Sequence, residues 1–393
     1  MSRITAIEHG WLSIGGSGDI TQQQAHALAN AQNALPANCL EWGYQRVKFT
    51  QFCGVVQVEG LQIEVLPKLY PNQSQEQQRK SLLIMLHHSG ELKALDSASS
   101  SLTTNTTTLL DLFTRHFAQL LEQQIQQGLL RDYADVEDTM GQVRGRIDLM
   151  RQQRENLFKP HRLACRFNEL IADIPVNRLL HTALLLVTQL CSGPELYRHL
   201  NALRHRFAEI DTLSQTEVAP TAADLNRLQQ RYVPVVDLAH QFLNGQFLDA
   251  RSGEQQVFSL LFDMNRLFER YVASRLRPQA RTHELRLIEQ GPRRYLAEDD
   301  HGRSRLLMRP DITLLDDDNT LHIIMDTKWI QLDSQNPVAA ISTSDLYQVS
   351  TYASAYNCKS VHLLYPEQPG LPAGCTRHLT LTGSHPTRVT VQA

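Results

Sequence analysis

The chain has 393 residues, too many for one ordinary core, and its 42% hydrophobic and 20% charged content places it among folded globular proteins. Thirty-eight basic against 41 acidic residues give a formal net charge of −3, which excludes wholesale disorder and a strongly basic nucleic-acid tail, though a whole-chain sum hides local patches. Six cysteines never fall as C-x-x-C, which excludes a disulfide framework or a zinc site and fits a reducing cytosol. MSRITAIEHGWLSIGG lacks the apolar core of a signal peptide, and no uncharged run approaches the roughly 18 residues of a membrane span, so the expectation is a cytoplasmic chain without membrane contact.

In chain order, residues 1–96 read as a β-rich region. Leu40–Gly54 alternates around Trp42, Tyr44, Val47 and Phe49. Val55–Val58 and Leu61–Leu66 flank Glu59-Gly60 as a hairpin, and Pro67 closes the second strand because it lacks a ladder N–H. Thr21–Ala34 predicts a helix, and Ser81–Leu86 begins another. Ser97–Thr108 (SASSSLTTNTTT) is too poor in apolar residues to bury a core and reads as a linker.

Residues 109–250 are expected to be mainly helical. Leu109, Phe113, Phe117, Leu120, Leu121 and Ile125 recur at helical spacing, and Val176–Leu190, Pro194–Phe207 and Ala222–Tyr232 predict further helices. In residues 251–393 a helix is expected over Gln256–Arg277. Strands follow at Tyr295–Ala297, Leu306–Leu315 and Leu321–Thr327, then a helix near Ser344–Tyr356 and a strand at Val361–Tyr365. That order predicts a mixed sheet with a crossover, in a multidomain α+β chain.

The stretch MRPDITLLDDDNTLHIIMDTKW, Met308–Trp329, carries the chemistry. Asp316-Asp317-Asp318-Asn319 reads as a turn between two strands, so Asp311 and Asp326 are expected to meet across a hairpin. Strand side chains alternate, so Asp326 and Lys328 share one face while Thr327 points away. Hard Mg²⁺ prefers oxygen ligands and keeps several waters, so two carboxylates and a backbone carbonyl suffice to hold it. Such an ion steadies charge developing on a phosphodiester, and a nearby lysine orients or deprotonates the attacking water. A structural salt bridge is the other reading of a bare D…D-x-K pattern. Ile323, Ile324 and Met325 weigh against it, because a buried strand rarely ends in two ionic groups without a task.

Arg309-Pro310-Asp311, a 14-residue spacer and Asp326-Thr327-Lys328-Trp329 resemble the PD-(D/E)xK nucleases and, within them, the McrC nuclease subunits of McrBC restriction systems. The likeness extends to Asp263–Glu269 (DMNRLFE) and Asp345–Gln348 (DLYQ), and upstream to Val55–Leu69 and Val143–Asp148. It is strong over roughly 255–365 and patchy over 40–190. It is weak in 195–250 and after 366. The resemblance implies a restriction-endonuclease-like α/β domain over 251–393, with Asp311 and Asp326 binding Mg²⁺, the Thr327 backbone carbonyl as a further ligand, and Lys328 as catalytic lysine. It matches Glu269 to an acidic residue on the helix before the hairpin, although periodicity leaves that side chain facing either the site or solvent. Gln348 and Tyr352, at i and i+4, resemble a Q-x-x-x-Y element, with plain helix packing as the alternative. The implied partners are a McrB-like AAA+ GTPase hexamer, contacted through residues 1–96 and stimulated by this chain, and double-stranded DNA carrying modified cytosine.

Two windows, Arg144–Arg166 and Arg266–Arg309, each carry a surplus of five positive charges. Arginine suits phosphate recognition, so Arg293, Arg294 and Arg309 are candidate DNA contacts together with Gln348 and Tyr352, whereas the first window is open to a protein partner or solvent. Gly15-Gly16-Ser17-Gly18-Asp19 lacks the Lys-Ser/Thr of a P-loop, so no nucleotide is expected on this chain. Two other functions compete with the nuclease subunit: a non-catalytic GTPase-activating scaffold, which an intact Asp311/Asp326/Lys328 set disfavours, and a stand-alone repair or RNA nuclease.

Overall fold

Runs rich in β-branched and aromatic residues at 52–66 and 255–263, far apart in the chain, pair in one sheet and so organise the molecule. The computed structural model describes residues 2–16, 18–58, 60–68, 74–92, 108–159, 161–214, 216–249, 255–332, 341–368, 371–381 and 387–393. The Ser97–Thr108 stretch, apart from Thr108, and Glu59 of the expected hairpin lie outside them. The chain divides into two units, Met1–Leu109 with Phe247–Ala393, and Leu110–Gln246.

The first unit opens with β1 (Ser2–Ile7), β2 (Trp11–Ser13), α1 (Gln22–Asn30), β3 (Leu40–Gly43), β4 (Arg46–Phe49), β5 (Phe52–Val58), β6 (Leu61–Leu66) and α2 (Gln75–His88). The second holds α3 (Leu109–Gln126), β7 (Asp132–Met140), β8 (Arg146–Ile147), α4 (Leu149–Glu155), β9 (Leu163–Ile171), α5 (Pro175–Leu190), α6 (Pro194–Arg204) and α7 (Val233–Asn244). After β10 (Gln246–Asp249) the first unit resumes with β11 (Gln255–Asp263), α8 (Met264–Thr282), β12 (Arg286–Glu289), β13 (Arg294–Glu298), β14 (Ser304–Met308), β15 (Ile312–Leu315), β16 (Leu321–Thr327), α9 (Thr343–Tyr356), β17 (Ser360–Leu364), β18 (Thr376–Leu381) and β19 (Thr387–Gln392).

One sheet of the first unit runs β1-β6-β5-β11-β10, with β11 antiparallel to β5 from Phe258↔Gln57 to Asp263↔Phe52. The sequence reading separated residues 1–96 from 251–393, but this ladder joins the two segments. Buried Glu64 anchors α2 to the same sheet: Arg79 donates to it twice, at 2.8 and 2.6 Å, and the Leu109 amide once, at 2.9 Å. The other large sheet runs β12-β15-β16-β17-β19-β18, antiparallel through β16 and then parallel to β17 across the α9 crossover. Alternation gives it two apolar faces. Ile324, Val361 and Leu363 pack with Val349 of α9, and Ile312, Leu314 and Met325 with Ala273 of α8.

Three local expectations needed correction. The helix expected from Gln256 begins at Met264, because Val257, Leu260 and Leu261 serve the β5–β11 ladder; Asp263 then caps α8 by accepting from the Asn265 and Arg266 amides. The alternating stretch Leu40–Gly54 forms a hairpin of β3 and β4 followed by the start of β5. Leu306–Leu315 breaks at Arg309-Pro310 into β14 and β15, as a proline without an N–H requires. Ala222–Tyr232 forms only short 3₁₀ turns, at Ala222–Asp224 and Gln230–Tyr232. The mainly helical middle also contains a β7-β9-β8 sheet that periodicity did not reveal.

Candidate active site

The β15–β16 register, Ile312↔Met325, carries Asp311 to the place opposite Asp326 at the end of the ladder. The turn between the strands is the expected one, closed by the Asn319 amide on the Asp316 carbonyl at 3.1 Å. Thr327 is not idle, contrary to the alternation argument. Its amide and hydroxyl both donate to Asp311 Oδ2, at 2.8 and 2.9 Å, and this fixes the carboxylate. Asp326 is buried at the α9 side of the sheet. Gln348 Nε2 donates to its Oδ1 at 3.2 Å, and the Lys328 ammonium lies 2.9 Å from Oδ2. Lys328 also reaches Asp345 Oδ1 at 3.2 Å and donates to Gln348 Oε1 at 3.0 Å.

Asp311, Asp326, Thr327, Lys328 and Gln348 line a cleft of about 780 Å³ with Glu269, Arg266 and Arg270 from α8, Gln290 from the end of β12, and Arg309. Burial and the Asp311 charge raise the Asp326 carboxyl, while Lys328 opposes them. Burial alone would lower Lys328, but Asp326 and Asp345 outweigh it and the ammonium is stabilised. Glu269 is half-buried in the cleft and accepts from Gln290. Its burial, aided by the Asp311 charge and opposed by Gln290, pushes it up to about 7.

The donor set suits a hard divalent cation. Asp326 Oδ2 is buried and accepts no hydrogen bond of ordinary geometry among the described residues, although the Lys328 ammonium lies 2.9 Å away, and Asp311 is held by Thr327. Among the described residues no three His, Cys, Asp or Glu side chains cluster closely enough to form a closed cage. Two carboxylates with the remaining positions left to water match the requirements of Mg²⁺ rather than those of structural Zn²⁺.

The other candidates divide. Arg309 and Gln348 line the cleft. Tyr352 is buried, accepts from Gln348 at 3.1 Å and donates to the Arg309 carbonyl at 3.4 Å, so its hydroxyl braces the site. Arg293 and Arg294 are not in the cleft lining. Arg294 donates to the Ala355 carbonyl at 2.9 Å and lies 4.9 Å from the Tyr356 ring centre, occupied by the end of α9. Three contributors were given no role from the sequence, Asp345 being marked there only as part of the DLYQ likeness. Asp345 had a signal, its i,i+3 spacing from Gln348; the Thr327 hydroxyl and Gln290 had none, because both depend on strand pairing.

The Glu269 carboxyl makes stability depend on pH. Folded, without an ion, it keeps its proton up to about 7, above the ordinary 4.5. Its contribution is therefore complete below about pH 4.5 and is lost as pH rises through about 7. In chelator, melting of wild type against Glu269→Gln at about pH 5 and about pH 8 should show wild type losing ground at the higher pH. Asp326 has the same sign but is present in both proteins and cancels. A difference independent of pH would mean a solvated Glu269.

A mixed sheet whose strand ends carry paired aspartates and a lysine in a cleft lined by charges of both signs defines an α+β protein with a charged site, the class to which comparison with known proteins adds a family. The McrBC 5-methylcytosine restriction system component model matches residues 47–366, most of the chain, and the chain belongs to this family. Its fold is similar to a chain in a refined half-complex from a tetradecameric assembly of Thermococcus gammatolerans McrB AAA+ hexamers with bound McrC. That match has 18% identity and a TM-score of 0.75 over 99% of this chain and 94% of that one. A chain of the Thermococcus gammatolerans McrBC complex matches at 20% identity with a TM-score of 0.55, over 70% of this chain and 87% of that one. No curated protein matches the sequence.

Proposed function

We propose that the chain is the DNA-cleaving subunit of a 5-methylcytosine-dependent restriction system, a Mg²⁺-dependent endodeoxyribonuclease of the PD-(D/E)xK type that acts in the cytoplasm. The observation that carries this reading is the convergence of Asp311, Asp326 and Lys328 at one end of the β15–β16 ladder, inside a cleft bordered by Arg266, Arg270 and Arg309. Asp311 and Asp326, with the Thr327 carbonyl, would hold Mg²⁺, which when bound supplies positive charge against the negative charge that builds on the phosphodiester. Lys328, steadied by Asp345 and Gln348, presents its ammonium to the scissile phosphate and the attacking water. Arg266 and Arg309 are exposed at the rim and take the flanking phosphates, which fixes the duplex without reading its sequence.

The partner in this reading is a McrB-like AAA+ GTPase hexamer, which supplies base recognition and whose GTP hydrolysis this chain stimulates; the solved complexes with a similar fold contain McrB hexamers with McrC. The contact face we assign lies in the second unit, not in residues 1–96. α4 buries none of its residues, and Leu149, Met150, Leu157 and Phe158 stand exposed within the Arg144–Arg166 window, with Phe158 at 92% exposure. Exposed apolar groups so close together mark an interaction surface.

The test is cleavage of 5-methylcytosine DNA by the chain with its partner, GTP and Mg²⁺. Products are expected only with all of these present, and unmethylated DNA should stay intact. Undiminished cleavage in EDTA would refute the metal assignment.

A further inference from the structure

Glu8, just beyond the end of β1, is 1% exposed, yet the chemistry above makes no use of it. Its Oε1 accepts the indole N–H of Trp329 at 2.7 Å and the Lys68 amide at 3.0 Å. The Glu8 amide donates to the Leu66 carbonyl at 2.9 Å, so its backbone is tied to the end of β6. A second tie lies beside it, where Gln331 Nε2 donates to the Lys68 carbonyl at 2.8 Å. Trp329 directly follows Lys328, and its ring packs on Phe268 of α8, with centroids 5.4 Å apart. Phe268 in turn precedes Glu269. The end of β16 is thus strapped to the β1–β6 edge of the other sheet at the point where it delivers the ammonium to the cleft.

We propose that Glu8 is a positioning residue for the cleavage site, holding the Trp329 indole so that the backbone at Lys328 and the Phe268–Glu269 turn of α8 keep their places. The argument rests on the nuclease reading of the cleft. Burying a carboxyl carries a desolvation cost, and here only Oε1 is well bonded, by donors that are themselves buried or fixed in backbone. Oε2 is buried without a hydrogen-bond partner among the described residues, so the Trp329 and Lys68 contacts are what hold the group in place. The Lys328 amide donates to the Leu364 carbonyl at 2.8 Å, but local propensity cannot orient Trp329, because residues 328–332 belong to no strand or helix. Misplacing a reacting group by about 1 Å costs roughly a hundredfold in rate, so a distant hydrogen bond that sets the strand end affects turnover more than DNA binding.

The experiment uses the full chain with Trp11 and Trp42 replaced by phenylalanine, so that Trp329 gives the single indole resonance. Glu8→Leu should move that ¹⁵N–¹H resonance, while Glu8→Gln, whose amide oxygen still accepts the indole N–H, should leave it near the wild-type position. With partner, GTP and Mg²⁺, Glu8→Leu should lower kcat at least about tenfold with KM for DNA unchanged, and Glu8→Gln should restore it to within about twofold. Trp329→Phe, which keeps the ring and removes the donor, should match Glu8→Leu, and the double variant should be no worse than either. Wild-type kcat in Glu8→Leu, an unmoved resonance, or additive losses in the double variant would each overturn the proposal. A parent chain that fails to cleave counts against the nuclease reading instead, and the resonance then decides the strap by itself.

Discussion

Cleavage is expected to fall at least about a thousandfold when Asp311, Asp326 or Lys328 is replaced by alanine, because each loss removes several kcal/mol of charge stabilisation in the transition state. The three act differently. Asp311→Ala leaves the Thr327 amide and hydroxyl without their acceptor, and Asp326→Ala frees Lys328 to swing toward Asp345. Lys328→Ala removes the ammonium that offsets the buried Asp326 and the half-buried Asp345, so it should also weaken the fold when no ion is bound. Asp326→Asn separates chemistry from packing: it keeps an oxygen for Gln348 and almost the same volume, and should be as inactive as alanine. The measurement is single-turnover cleavage with partner, GTP and Mg²⁺, beside thermal melting. Wild-type cleavage by any of these variants would remove the assignment.

The second large effect should appear in the partner's GTPase. Phe158→Asp combined with Met150→Asp places two charges in the exposed apolar face of the second unit and should abolish stimulation, a loss of about tenfold or more if these residues anchor the contact. Melting should hardly change, because neither side chain is buried in the free chain. Tyr44→Asp, at an 89% exposed tip in the first unit, should keep stimulation. The reverse pattern would return the contact to residues 1–96, where the sequence reading put it. A fragment of residues 251–393 is a poor substitute for these variants, since β11 would lose its partner β5.

Much of this was legible without coordinates because it is local. The strands on either side of the Asp316–Asn319 turn, the shared face of Asp326 and Lys328, and the α9 crossover follow from alternation, turn chemistry and helical spacing within about fifty residues. Only the tertiary structure decided the rest. Val257, Leu260 and Leu261 fit a helical stripe, yet they form a strand because β5 offers a long-range ladder whose pairing and burial outweigh helix propensity. Arg294 has the chemistry of a phosphate contact but is held by the Ala355 carbonyl and the Tyr356 ring, whereas Arg266, marked in the sequence only as the first residue of a positive window, lines the cleft. Glu8 looked like one more acidic residue near the start of the chain. Its partner lies 321 positions away, and nothing in local spacing records a hydrogen bond that exists only once two sheets have folded against each other.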